Sequence, residues 1–124
     1  MNRADLEHVL RAAADVAGDG EILVIGSHAI PGSFPEDRLP DRATMSIEAD
    51  IAFLDGDTGK GDRVEGAIGE GSRFHEAFGV YAQGVDLDTA TLPEGWRQRA
   101  VPFPTTDSRI EAICPDVHDL VAAK

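Results

Sequence analysis

Cysteine is almost absent. Cys114 is the only one in 124 residues, so no disulfide within the chain can staple the fold. The four histidines, His8, His28, His75 and His118, lie far apart, and with a lone cysteine they give no zinc-ligand spacing. Basic residues are scarce: 11 Lys and Arg face 23 Asp and Glu, a formal net charge of -12. Such a surface repels a phosphate backbone and anionic lipid, so direct DNA binding is not expected. A protein that recruits divalent cations or pairs with a basic partner remains compatible with that charge. Long apolar runs are missing too. No window approaches the roughly 18 residues of a spanning helix. Arg3, Asp5 and Glu7 interrupt the first residues, so they do not read as a signal peptide. The expectation is a cytoplasmic protein with no membrane segment.

What remains is an ordinary globular composition, 42% hydrophobic, at a length suited to one domain spanning residues 1–124. A chain of this size can bury a core without a structural metal. Leu6, Val9, Leu10, Ala13, Ala14 and Ala17 recur at helical spacing, with Asn2 as a cap and Gly18 and Gly20 as the stop. Glu21 to Ile25 is a short apolar run after a turn and predicts a buried strand. Residues 31–43, rich in proline and charge, read as a surface loop. From Met45 to Leu54 the pattern alternates, with Ile47, Ala49, Ile51 and Phe53 on one face and Ser46, Glu48 and Asp50 on the other. Residues 60–78 read as a helix broken by Gly69 and Gly71, or as two short helices. Strands are expected over Gly79–Leu87, Arg97–Phe103 and Arg109–Cys114. Asp116 caps a last helix with an apolar stripe at Val117, Leu120 and Val121. That stripe reaches Lys124 without a stop signal, so the helix is either short and frayed or continues in a longer chain. A second copy could cover it, which makes a homodimer the expected assembly. This order predicts an α/β (α+β) fold, a mixed sheet with helices packed against it.

Two stretches carry chemistry. Gly26-Ser27 follows the first strand. A glycine there permits a sharp turn and a close ligand approach, and the serine hydroxyl with nearby N–H groups can donate to phosphate. An ordinary strand-ending turn with a capping serine satisfies the same dipeptide. Glu48 and Asp50, two apart on a strand, share a face at about 7 Å along the chain, a spacing at which two carboxylates can bracket Mg²⁺. A solvated strand face would look the same, except that acids between Ile47 and Ile51 have poor strand propensity. Asp86 and Asp88 are also two apart. If their strand lies beside that of Glu48, Asp86 could supply a third carboxylate, while Asp88 could instead cap a turn with Thr89. His28 could reach a phosphate, and Arg97 and Arg99 could do so if the sheet brings them near. Solvated or structural roles are the simpler reading of His28, Arg97 and Arg99.

An apolar strand, Gly-Ser, a loop and then Glu-x-Asp on a second apolar strand resembles the nucleotidyltransferase superfamily of the DNA polymerase β type. The likeness is closest to small bacterial minimal nucleotidyltransferase-like domains of an uncharacterised group. Y-A-Q-G-V around Tyr81, T-L-P-E-G-W around Trp96 and P-D-V-H-D-L-V-A-A-K at the close are similar to that group as well. The resemblance implies transfer of a nucleoside monophosphate from an NTP to a hydroxyl, with Mg²⁺ as the cofactor. It implies that Gly26 and Ser27 bind the nucleotide, and that Glu48, Asp50 and Asp86 form the catalytic and metal-binding set. Glu48 stands where the family usually has Asp. Relatives of this type occur in toxin–antitoxin modules, where the acceptor is tRNA or a partner protein. The alternative expectation is a catalytically inactive binding or regulatory protein that kept the fold.

Overall fold

The computed structural model describes residues 2–25, 47–87, 92–103, 105 and 107–115. Helix α1 spans Arg3–Ala17. Its start is fixed by a capping box: the Asp5 N–H donates to Asn2 Oδ1 at 2.8 Å, and the Asn2 N–H donates back to Asp5 Oδ2 at 3.1 Å. Gly18 ends it at φ 70, a left-handed conformation suited to glycine, and its N–H donates to the Ala14 carbonyl. The buried face consists of Leu6, Val9, Leu10 and Ala13. Burying each of the larger of these side chains is worth about 1.5–3 kcal/mol.

Strand β1 (Glu21–Ile25) runs antiparallel to β2 (Glu48–Phe53). Helices α2 (Thr58–Ile68) and α3 (Arg73–Phe78) follow, then β3 (Tyr81–Gly84), parallel to β2. A short helix α4 (Trp96–Arg99) precedes β4 (Val101–Pro102), and β5 (Glu111–Cys114) closes the described chain, parallel to β1. The strand order is β3-β2-β1-β5-β4, a five-stranded mixed sheet. This is the expected mixed α/β architecture. Among the described residues no helix is long and apolar enough to cross a membrane.

The core lies between one face of the sheet and helices α1 and α2. Ile22 and Val24 from β1, Ala49, Ile51 and Phe53 from β2, and Ala82 from β3 meet Leu6, Val9, Leu10, Val64 and Ile68 there. The expected alternation in β2 holds for Ala49, Ile51 and Phe53, whereas Ile47 precedes the strand and is 46% exposed. On the opposite face Leu23 and Ala52, partners in register, are also buried, so that face is not simply a solvated one.

Lys60 ties three elements together. Its ammonium donates to Asp19 Oδ2 at 2.8 Å before β1 and to Asp55 after β2, while its own backbone belongs to α2. These bonds, that to Asp19 first, raise its pKa. The partners lie at 17% and 44% side-chain exposure, so the clamp sets the angle between elements more than it adds energy.

The strand expected over Arg97–Phe103 needs correction. Residues 97–99 are helical, because the Trp96 N–H donates to the Pro93 carbonyl and the Gln98 N–H to the Gly95 carbonyl, which closes tight turns rather than a ladder. Strand pairing begins only at Val101, opposite Cys114. Residues 60–78 form two helices, as the glycines suggested. The 31–43 loop, the helix expected from Asp116 and its apolar stripe lie outside the described residues.

Candidate functional site

The site is built where β1 ends and where β2 and β3 begin. Ile25, the last residue of β1, is the register partner of Asp50. Gly26 is the next residue in the chain. It, Ser27 and His28 lie outside the described residues, as does Asp88. In the other direction, β3 does lie beside β2, and the register pairs Glu48 with Tyr81 and Asp50 with Gln83. One patch of sheet therefore carries Asp50, Glu48, Gln83 and Tyr81 together.

Asp50 is half-buried rather than solvated. Its Oδ1 is buried with no hydrogen-bond partner among the described residues. Burial first, then its hydrogen bond and charge repulsion with Glu48, raise its pKa from 3.8 to about 6. Two carboxylates cannot share a hydrogen bond unless one holds a proton, so the pair is short of positive charge. Glu48 is held from its other side as well: the Tyr81 phenol oxygen lies 2.9 Å from Glu48 Oε2 and 2.9 Å from Glu70 Oε2. Hydrogen bonding to these carboxylates, Glu48 first, together with burial, raises the phenol's pKa. The ring of Tyr81 is buried and meets the His75 ring at 4.6 Å. His75 Nδ1 accepts the Gly71 N–H at 3.0 Å, which leaves Nε2 to carry the ring proton.

Beside this patch is a cavity of about 520 Å³ lined by Glu48, Asp62, Glu65, Glu70, Tyr81 and Gln83, among others. Helix α2 supplies Asp62 and Glu65, and a glycine pair lets it approach. Gly61 of the helix rests on Gly84 of β3, and a Cβ added to Gly84 would fall 2.4 Å from the Gly61 carbonyl oxygen.

No family model, curated protein or solved structure matches the chain.

Of the sequence-derived set, Glu48 and Asp50 come together. Asp86 does not join them: it follows the end of β3 by two residues, is exposed and does not line the cavity, and the residue opposite Asp50 is the amide Gln83. Among the described residues no group of three or more His, Cys, Asp or Glu side chains could hold a metal. Arg97 and Arg99 are exposed and line no part of the cavity; Arg99 donates to the Glu94 carbonyl. The sequence reading missed Tyr81, Glu70 and His75 as site residues. Their signal was a cluster of polar and aromatic side chains in G-E-G-S-R-F-H-E-A-F-G-V-Y, beside a strand already marked by its acids.

The donor set fits a hard divalent cation. Asp50 Oδ1 is a buried oxygen whose lone pairs have no partner, and a cation would relieve the crowding of its charge against Glu48. Mg²⁺ commonly takes only one or two protein carboxylates and completes its shell with water and substrate phosphate, so a third acid is not a condition for binding.

Proposed function

We propose that the chain is a Mg²⁺-dependent nucleotidyltransferase-like protein that transfers a nucleoside monophosphate from an NTP to a hydroxyl acceptor. The observation that carries this reading is the Ile25–Asp50 register, which sets the residue before Gly26-Ser27 directly against the acid pair. A phosphate-cradling turn and a cation-binding pair must be neighbours for such chemistry, although they are distant in sequence. Glu48 and Asp50 would hold the ion. When bound, it would neutralise charge on the triphosphate and its leaving group. Gly26 and Ser27 would donate to the phosphates. Without a cation, the four carboxylates of Glu48, Asp62, Glu65 and Glu70 would repel a triphosphate, so nucleotide binding should depend on metal. The same lining disfavours an RNA acceptor and suits a hydroxyl on a partner protein, as in a toxin–antitoxin pair.

Gln83 favours a second reading. An amide opposite Asp50 cannot act as a base, and with Asp86 outside the cavity the chain could be an inactive binding or regulatory module on the same fold. Calorimetric titration with ATP, GTP, CTP and UTP, with and without Mg²⁺, separates the two. The transferase reading predicts heat only with Mg²⁺, for at least one nucleotide, and its loss in Glu48→Ala and Asp50→Ala. Silence with all four nucleotides from folded protein would leave the binding-module reading.

A further inference from the structure

We propose that Tyr81 is a positioning residue for Glu48, with Glu70 holding the phenol in place from behind. This rests on the cation-binding reading of Glu48 and Asp50. Glutamate has one more rotatable bond than aspartate, so its carboxylate needs a partner to stay in one place. Tyr81 is the register partner of Glu48, and its hydroxyl meets Glu48 Oε2 at 2.9 Å. The phenol is itself immobilised. The residue is 8% exposed, its ring meets the His75 ring at 4.6 Å and a tilt of 49°, and its oxygen lies 2.9 Å from Glu70 Oε2. A phenol has a single proton to donate. While Glu48 Oε2 accepts that proton, the other carboxylate oxygen is left for a ligand. The hydroxyl then stays satisfied, and Glu48 keeps its position. The structure thus supplies from outside the rigidity that a shorter aspartate would have had by itself.

The test is Mn²⁺ titration of wild type, Tyr81→Phe and Glu70→Ala, each with a non-hydrolysable NTP, alongside thermal melts of the three proteins. Tyr81→Phe removes one oxygen and leaves the His75 contact. Supporting groups of this kind usually contribute about 10- to 100-fold in metal affinity, and a loss of about tenfold is expected here. The melting temperature should stay as in wild type, which a general structural defect would not allow. Glu70 is exposed, so Glu70→Ala should fold normally and lose about threefold by the weaker anchoring of the phenol. A crystal structure of metal-free Tyr81→Phe should show the Glu48 carboxylate displaced. Wild-type Mn²⁺ affinity in Tyr81→Phe, or an unmoved Glu48 in that structure, would overturn the role. Should Tyr81→Phe fail to fold, unchanged affinity in Glu70→Ala overturns it instead. A wild type that binds no Mn²⁺ overturns the functional reading and this role together, a result distinct from binding that the variants leave untouched.

Discussion

Replacing Asp50 by Asn is expected to raise the melting temperature by about 4 °C above about pH 7, and to leave it unchanged near about pH 4. The carboxyl of Asp50 is harder to ionise in the folded protein, at about 6, than its ordinary 3.8. Folding therefore takes up a proton between those two values. Stability falls as the pH rises through that window and stays lowered above it, where the buried charge must be carried beside Glu48. Asparagine has the same shape and no charge, and its amide can donate to Glu48 where two carboxylates needed a shared proton. Because Asp50 is only partly buried, the gain is set at about 1 kcal/mol rather than at the full shift. Thermal melts of both proteins across this pH range check the sign. A variant that melts lower than wild type at neutral pH would contradict the burial argument. The same substitution should abolish Mg²⁺-dependent nucleotide binding. A residue that weakens the fold and is needed for binding is a common mark of a functional site.

The second large effect concerns the seam between α2 and β3. Gly84→Ala is expected to destabilise the protein by about 3 kcal/mol, lowering the melting temperature by roughly 12 °C. The added Cβ would lie 2.4 Å from the Gly61 carbonyl oxygen and 2.6 Å from its Cα, and both are main-chain atoms that no rotamer change can move. The helix would have to shift off the sheet, carrying Asp62 and Glu65 with it and opening the cavity. Gly61→Ala is the contrasting partner. Its Cβ would meet Gly84 Cα at 3.5 Å, an ordinary contact, and alanine favours the helix by up to about 1 kcal/mol. Denaturant unfolding of the two variants should therefore give opposite signs at one contact. Equal losses would show that the seam is not set by this approach.

How much of this was legible in the chain follows from the range of each signal. Helix α1 and strand β1 were readable to within a residue, since their cap, periodicity and stop are all local. Strand β2 was readable because Ala49, Ile51 and Phe53 alternate with Glu48 and Asp50, and the acid pair because it breaks strand propensity. Helix α2 carries Gly59, Gly61 and Gly66, poor helix formers, and stands by packing Val64 and Ile68 into the core. The bond between Tyr81 and Glu48 spans 33 positions and depends on β2–β3 register, which no single sequence displays. The same register put Gln83, not Asp86, opposite Asp50. A two-residue period shows which residues share a face of one strand. It does not show which residue of the next strand stands beside them.

The most direct test of the central claim is anomalous diffraction from crystals grown with Mn²⁺ and a non-hydrolysable NTP. A manganese peak bound by Glu48 and by Asp50 Oδ1 is expected, with the triphosphate held against Gly26 and Ser27. Ordered nucleotide without metal at that pair, or manganese bound only elsewhere, would contradict it.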